Sequence, residues 1–275
     1  MKNFAVLILI LITGAFLFFF GKETPLDMAE MDIAENSVDD QYQGCPGNMS
    51  RLVENSYLKD ELKTTKNFTD AWSKGEKWCS SNTKGDDLGE MNYCIALYVY
   101  TLDEPPIYKV FNSDTHSGGT QYTGKTYQWH SLHFLLTRAL QALKDREKQE
   151  GAKCRLTYRG TDDQFNKDIL NKEVRFGFFS SSSMDRKVAE DFGKKSCFEI
   201  NTCHGAKISD YSASPQEREV LIPPYEKFKV SQVSEKIHNP GLWCDTVYKL
   251  ESTGIRSDLN CAVVARSFDR VINEL

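Results

Sequence analysis

At 275 residues with 40% hydrophobic content, the chain holds material for one large domain or two small ones, with enough apolar side chain for a real core. A formal net charge of −5, with no basic stripe interleaved with aromatics, excludes a nucleic-acid partner. The eight cysteines form no CxxC and have no histidine at finger spacing, which excludes a structural zinc and predicts no metal.

Lys2 precedes an unbroken apolar run, 4–20, that stops at Gly21-Lys22. A positive start followed by such a core reads as a secretory signal. Phe18, Phe19 and Phe20 occupy the positions where small residues favour cleavage, so an uncleaved anchor is the alternative, and membrane association is expected only in that case. Either way the body lies outside the cytosol, where an even number of cysteines argues for disulfides. The following stretch, 22–38, is acidic and poor in large apolar groups, and reads as a flexible lead. Asn48-Met-Ser50 and Asn67-Phe-Thr69 are glycosylation sequons. The polar end ARSFDRVINEL has no hydrophobic tail of the kind a GPI signal needs.

From Cys45 to about Cys79, Leu52, Tyr57, Leu62, Phe68, Trp72 and Trp78 recur at loose helical spacing. Asp86 and Asp87 are candidate caps for a helix carrying Met91, Ile95, Ala96, Tyr98 and Val99, which Pro105-Pro106 ends. The clearest helix spans 128–148, where Leu132, Leu135, Leu136, Ala139, Leu140 and Leu143 form one stripe. His130 and His133 lie on it three apart without a third ligand, which predicts packing or surface roles.

Residues 119–126, GTQYTGKT, match the phosphate-loop pattern. That loop needs a buried strand before it, and NSDTHS is too polar to be one. The segment reads as a surface loop before the long helix. After Gly151 come short β-rich runs at 155–158, 174–179, 197–200, 220–222, 228–233, 247–250 and 262–265. Helices first and strands second predict an α+β fold in place of parallel βαβ repeats.

Three features then stand in order. Arg159 ends the run CRLTYRG, where its planar fork suits phosphate or carboxylate oxygens, and Gly160 beside it lets a ligand near the backbone. An apolar run ends in Ser180, Ser181, Ser182 and Ser183, with no G-x-S-x-G elbow to make any of them a nucleophile. Glu217 and Glu219 form Glu-x-Glu at the mouth of the strand Val220-Leu221-Ile222. In an extended backbone, residues two apart share a face, so both carboxylates should look into one site; the plainer alternative is a solvated acidic strand end with Arg218 as a local partner.

This order of Arg, aromatic-Ser-Ser-Ser and Glu-x-Glu resembles the arginine-specific ecto-ADP-ribosyltransferase family. The resemblance extends to Asp39-Asp40-Gln41-Tyr42 with Gly44-Cys45, to LHFLLT at 132–137, to EVLIPPYE at 219–226, and to Ser252-Thr253-Gly254 and Asn260-Cys261, roughly residues 39–265. It implies an α+β fold with two roughly perpendicular β-sheets forming an NAD cleft, and one catalytic domain over 39–275. It implies an NAD(P)–protein-arginine ADP-ribosyltransferase: NAD is a co-substrate with no permanently bound cofactor, nicotinamide leaves, and arginine side chains of target proteins accept the ADP-ribose. By the same resemblance Glu219 is the catalytic carboxylate, Glu217 positions or deprotonates the guanidinium, and Arg159 holds the phosphates. Ser181, the first Ser of Ser-x-Ser, orients Glu219 and the ribose. Tyr100 and Ser212 match positions near the NAD cleft. Cys45 would pair with Cys261 and Cys154 with Cys203; the pairing of Cys79, Cys94, Cys197 and Cys244 stays open. An NAD glycohydrolase and a silent surface binding protein are the alternatives on the same fold. The lack of Gly-x-Gly-x-x-Gly argues against a Rossmann oxidoreductase.

Overall fold

The computed structural model describes residues 29–82 and 88–264. The apolar run 4–20, the start of the acidic lead, the caps Asp86 and Asp87, and the C-terminal tail lie outside the described residues. Among the described residues, no helix is long and apolar enough to cross a membrane.

The N-terminal half is helical. Helices α1 (Pro46–Leu52) and α2 (Leu58–Thr64) are joined by the π-helical turn Val53–Tyr57. Then come α3 (Lys66–Ser81), α4 (Met91–Tyr100), α5 (Ile107–Ser117), α6 (Gly119–Gly124) and α7 (His130–Gln149). Helix α3 buries Phe68, Ala71, Trp72, Gly75 and Cys79, the i, i+3, i+4, i+7 rhythm of a single face. It packs on α4, where the Cys79–Cys94 disulfide staples the pair. Asn67 is exposed on α3, and Asn48 is half-buried on α1, so both sequons sit in helices.

Helix α7 buries the leucine stripe expected of it. It begins at His130, where the buried Glu61 carboxylate accepts the Ser131 N–H at 3.0 Å and caps the otherwise unpaired end. Burial raises the Glu61 pKa to about 8. His133 is a packing residue: its ring lies 2.8 Å from the Tyr42 hydroxyl and 2.9 Å from the Val38 carbonyl. His130 stacks on Tyr57. The segment 119–126 is a short helix ended by Lys125 in the left-handed conformation, with Tyr122 buried. It is helical and packed, neither a phosphate loop nor the surface loop expected.

The second half is an eight-stranded sheet in the order β2-β7-β8-β4-β1-β3-β6-β5. The strands are β1 (Arg155–Thr161), β2 (Glu173–Val174), β3 (Ser180–Ser183), β4 (Ser196–Thr202), β5 (Ala206–Lys207), β6 (Glu219–Ile222), β7 (Glu226–Glu235) and β8 (Thr246–Ile255). Helix α8 (Arg186–Asp191) follows β3. The expected two sheets appear as two blocks, because β1 and β3 meet through a single residue pair, Tyr158 opposite Ser183. The ladder is continuous but pinched there, and the cleft opens at that joint. One face buries Phe176, Phe198, Phe228 and Tyr248, while Phe179, Ala206, Ile208 and Leu221 join the core under the helices.

Three further expected elements differ. The run 174–179 is a strand only to Val174. Arg175 N–H leaves the sheet for the Asp32 carbonyl, and Gly177 takes a φ of +68° where a Cβ would lie 2.5 Å from that of Ala34. Ala262–Val264 is a helical turn, so no strand forms there. The acidic lead is fixed from residue 29 onward: Ala29 bridges to Phe165, and Met31, Ala34 and Val38 are buried. The reason is Arg175, 2% exposed, whose guanidinium donates to the Ile33, Ala34 and Arg256 carbonyls and to Asp39 at 2.7 Å. A low apolar count misreads a segment whose backbone carbonyls satisfy a buried cation.

All eight cysteines are paired, as Cys45–Cys261, Cys79–Cys94, Cys154–Cys203 and Cys197–Cys244. Cys154–Cys203 extends the β1–β4 ladder by one step beyond Arg155 opposite Thr202. Cys45–Cys261 closes the described C-terminal segment onto α1, beside Asp39 and Asp40, which accept the backbone N–H groups of Leu259 and Cys261.

Candidate active site

A cleft of about 240 Å³ opens where β1, β3 and β6 converge, walled on one side by α4 and α5 and on the other by α8. Arg159, Gly160, Ser181, Glu217, Glu219 and Tyr100 all line it. Ser212 does not: it is buried, and its Oγ accepts the Ser214 N–H at 2.9 Å, a local turn that shapes the loop before Glu217.

Glu219 sits at the start of β6, 4% exposed, directly opposite Ser183 in the β3–β6 ladder. Burial raises its pKa to about 7; the nearby Glu217 charge adds to the rise, while a hydrogen bond from Ser181 and the Arg159 charge oppose it. Of the four serines, Ser181 is the one that reaches Glu219. Ser182 Oγ donates to the Val220 carbonyl and Ser183 Oγ to the Glu217 carbonyl, both at the backbone. Ser180 is fully buried. Strand alternation turns Ser180 and Ser182 to the face opposite Ser181, and Ser183, on the same face as Ser181, spends its hydroxyl on the Glu217 carbonyl.

The two glutamates share the cleft, though not by the expected geometry. Pro215–Glu217 is a 3-10 turn, and Arg218 takes a left-handed conformation at φ 50° before β6 begins. The turn swings Glu217 to the rim, half-buried, while Glu219 stays on the floor. Arg218 points away, 3.8 Å from Asp185, so it partners neither glutamate. Burial raises the Glu217 pKa, and the Asp103 charge raises it further.

Arg159 donates from Nη1 to the Ser181 carbonyl at 2.7 Å, which anchors one arm of its fork against β3. It stands between the cleft and a smaller cavity of about 80 Å³ lined by Asp163, Phe165 and Arg175. Gly160 serves α8 more than it serves a ligand. A Cβ there would lie 2.3 Å from the Ala189 carbonyl oxygen and 2.4 Å from that of Gly193, both backbone atoms that cannot step aside. Gly160→Ala should therefore cost about 2–3 kcal/mol of stability and shift α8 off the cleft, as read by urea unfolding. An unchanged midpoint would show that α8 relaxes freely.

Asn112 and the residues around it have no motif to mark them in the sequence. Asn112 Nδ2 donates to the Phe179 carbonyl and to the Tyr100 hydroxyl, both at 3.0 Å, and Tyr100 donates to that same carbonyl at 2.6 Å. Together they clamp the backbone that enters the four serines. Asn112 opens the polar stretch NSDTHS, which reads only as too polar for a buried strand.

The cleft therefore combines a buried, hydrogen-bonded carboxylate, a second carboxylate at the rim and a half-buried arginine, a set suited to stabilising a developing cation on a group that itself carries phosphates. A family model described as NAD:arginine ADP-ribosyltransferase matches residues 31–242. The chain belongs to that family. It is 35% identical to the erythroblast NAD(P)(+)–arginine ADP-ribosyltransferase of Gallus gallus, over 89% of this chain and 79% of that one. It is 33% identical to the GPI-linked NAD(P)(+)–arginine ADP-ribosyltransferase 1 of Mus musculus, over 89% and 75% respectively. Among solved structures, a mutant of the eukaryotic mono-ADP-ribosyltransferase ART2.2 in complex with NADH superposes with a TM-score of 0.69 at 27% identity, covering 84% of this chain and 98% of that one.

Proposed function

We propose that this cleft cleaves the nicotinamide–ribose bond of NAD and hands the ADP-ribose to the guanidinium of an arginine side chain on a protein outside the cytosol. The observation that carries the reading is Glu219: a carboxylate 4% exposed, hydrogen-bonded by Ser181, on the floor of a cleft that also holds Arg159 and Glu217.

Nicotinamide leaves as a neutral ring, so no strong acid is needed. The ribose carbon becomes oxocarbenium-like, and the Glu219 carboxylate faces that charge. Ser181 keeps the carboxylate in place. The free arm of Arg159 is directed at the diphosphate, where a planar fork matches two oxygens. An arginine acceptor arrives fully protonated and must lose one proton as its nitrogen bonds the ribose carbon. Glu217, at the rim and with its pKa raised, is the base that takes it. The four disulfides and the ecto and GPI-linked relatives support an extracellular or lumenal place of action.

The test is incubation with labelled NAD and agmatine. Wild type should form ADP-ribosyl-agmatine. Glu217→Gln should keep NAD cleavage and lose roughly 100-fold in transfer, the low end of what a positioned base supplies. Equal loss of both activities would remove the base role from Glu217. Free ADP-ribose without adduct from wild type would make the protein an NAD glycohydrolase.

A further inference from the structure

Asp103 lies on the rim of the cleft, in the loop between α4 and α5, and lines it together with Glu217. The loop is held firmly. Leu102 beside it is buried, and the Glu104 carbonyl accepts Lys74 Nζ at 2.7 Å. Thr101 Oγ1 accepts the Ala213 N–H at 2.9 Å, which ties the loop to the segment that carries Glu217. The two carboxylates are thus presented by two mutually anchored loops.

Among the described residues, neither side chain has a hydrogen bond or a cationic partner. Several acidic groups elsewhere do. Asp185 caps α8 and faces Arg218, Glu190 pairs with Arg186 and Lys194, and Asp245 pairs with Lys195. The nearest cation in sequence, Arg218, is turned away. Two like charges held across a rim with no counter-ion repel each other, which is why the Asp103 charge contributes to the raised Glu217 pKa. Such an arrangement is relieved by a cation that arrives from outside. A guanidinium, with five donors in one plane, can engage two carboxylates at once.

We propose that Asp103 is the second carboxylate of the acceptor subsite, a specificity-determining residue that docks the target guanidinium opposite Glu217 and favours arginine over water. The inference rests on the transferase reading. Asp103 holds the acceptor, and Glu217 remains the group that takes its proton.

The experiment measures steady-state transfer to agmatine and NAD cleavage for wild type, Asp103→Asn and Asp103→Glu. Asp103→Asn should raise the agmatine KM about fivefold, the worth of one partly exposed charge pair, and leave the NAD KM and the turnover at saturating agmatine within about twofold. Asp103→Glu should restore most of the loss, and added salt should narrow the gap between wild type and Asp103→Asn. The melting temperature should not fall, since no partner is left behind. An unchanged agmatine KM overturns the proposal, as does a parallel rise in both KM values, which marks a structural disturbance. If wild type cleaves NAD but forms no adduct, the transferase reading falls first and this inference falls with it.

Discussion

Glu219→Gln is expected to abolish both NAD cleavage and transfer while leaving a folded protein. Glutamine keeps the shape and can still meet Ser181, but it carries no charge to face the oxocarbenium. Loss of one preorganised group of this kind costs about 3 kcal/mol or more, at least 100-fold in turnover. The same carboxylate sets a pH dependence. With its pKa raised to about 7 by burial, Glu219 is protonated below that pH in the free protein, so kcat/KM for NAD should rise as pH climbs from 5 to 8. A profile flat down to pH 5 would remove Glu219 from the role. Stability runs the other way. A carboxyl whose folded pKa exceeds its unfolded value binds more protons when folded, so its contribution is fully present below about 4.5 and lost as pH rises through about 7. Glu219→Gln removes that loss, so the variant should melt no lower than wild type at pH 8. An inactive variant that also melts much lower would show that the residue is structural.

The largest effect on stability is expected at Arg175, far from the chemistry. Its guanidinium is wholly buried and satisfies three backbone carbonyls as well as Asp39, whose carboxylate also accepts the Asp258 and Leu259 N–H groups. Arg175→Met would leave Asp39 charged and buried without its partner, at a cost of about 3–5 kcal/mol. For a chain of this size that lowers the melting temperature by roughly 10 °C. Arg175→Lys should fail nearly as badly, because an ammonium cannot reach four acceptors spread around a planar fork. Urea unfolding of both variants checks this, and a loss below about 1 kcal/mol would mean that water or rearrangement replaces the guanidinium.

These two residues also mark where sequence reading works and where it stops. Glu219 was legible because its chemistry is local: a carboxylate two residues from another, just before an apolar strand, with an arginine and a serine run upstream. Arg175 was read only as part of an apolar run, because nothing local reveals that its partners lie at 33, 34, 39 and 256. Residues 29–38 of the lead were misread as flexible for the same reason, since their order comes from carbonyls that any residue possesses. Ser212 was placed near NAD by resemblance, yet its hydroxyl is used within its own turn. Asp103 carried no signal at all, because it is an ordinary exposed acid until the fold sets it opposite Glu217.

By itself the sequence determined most of the elements and brought the candidate site residues forward. The leucine stripe of α7, the helix-then-strand order and the even cysteine count follow from spacing and residue type, and the order of Arg159, Ser181 and Glu219 stands out through the family resemblance. Tertiary structure decided what those residues face. The single-pair joint between β1 and β3 opens the cleft, and the left-handed turn at Arg218 separates Glu217 from Glu219. The Thr101–Ala213 hydrogen bond brings Asp103 to the rim. The physical reason is range. Periodicity and pair spacing act over a few residues, whereas burial, the pKa shifts it causes and counter-ion pairing depend on groups brought together from tens to more than a hundred positions apart.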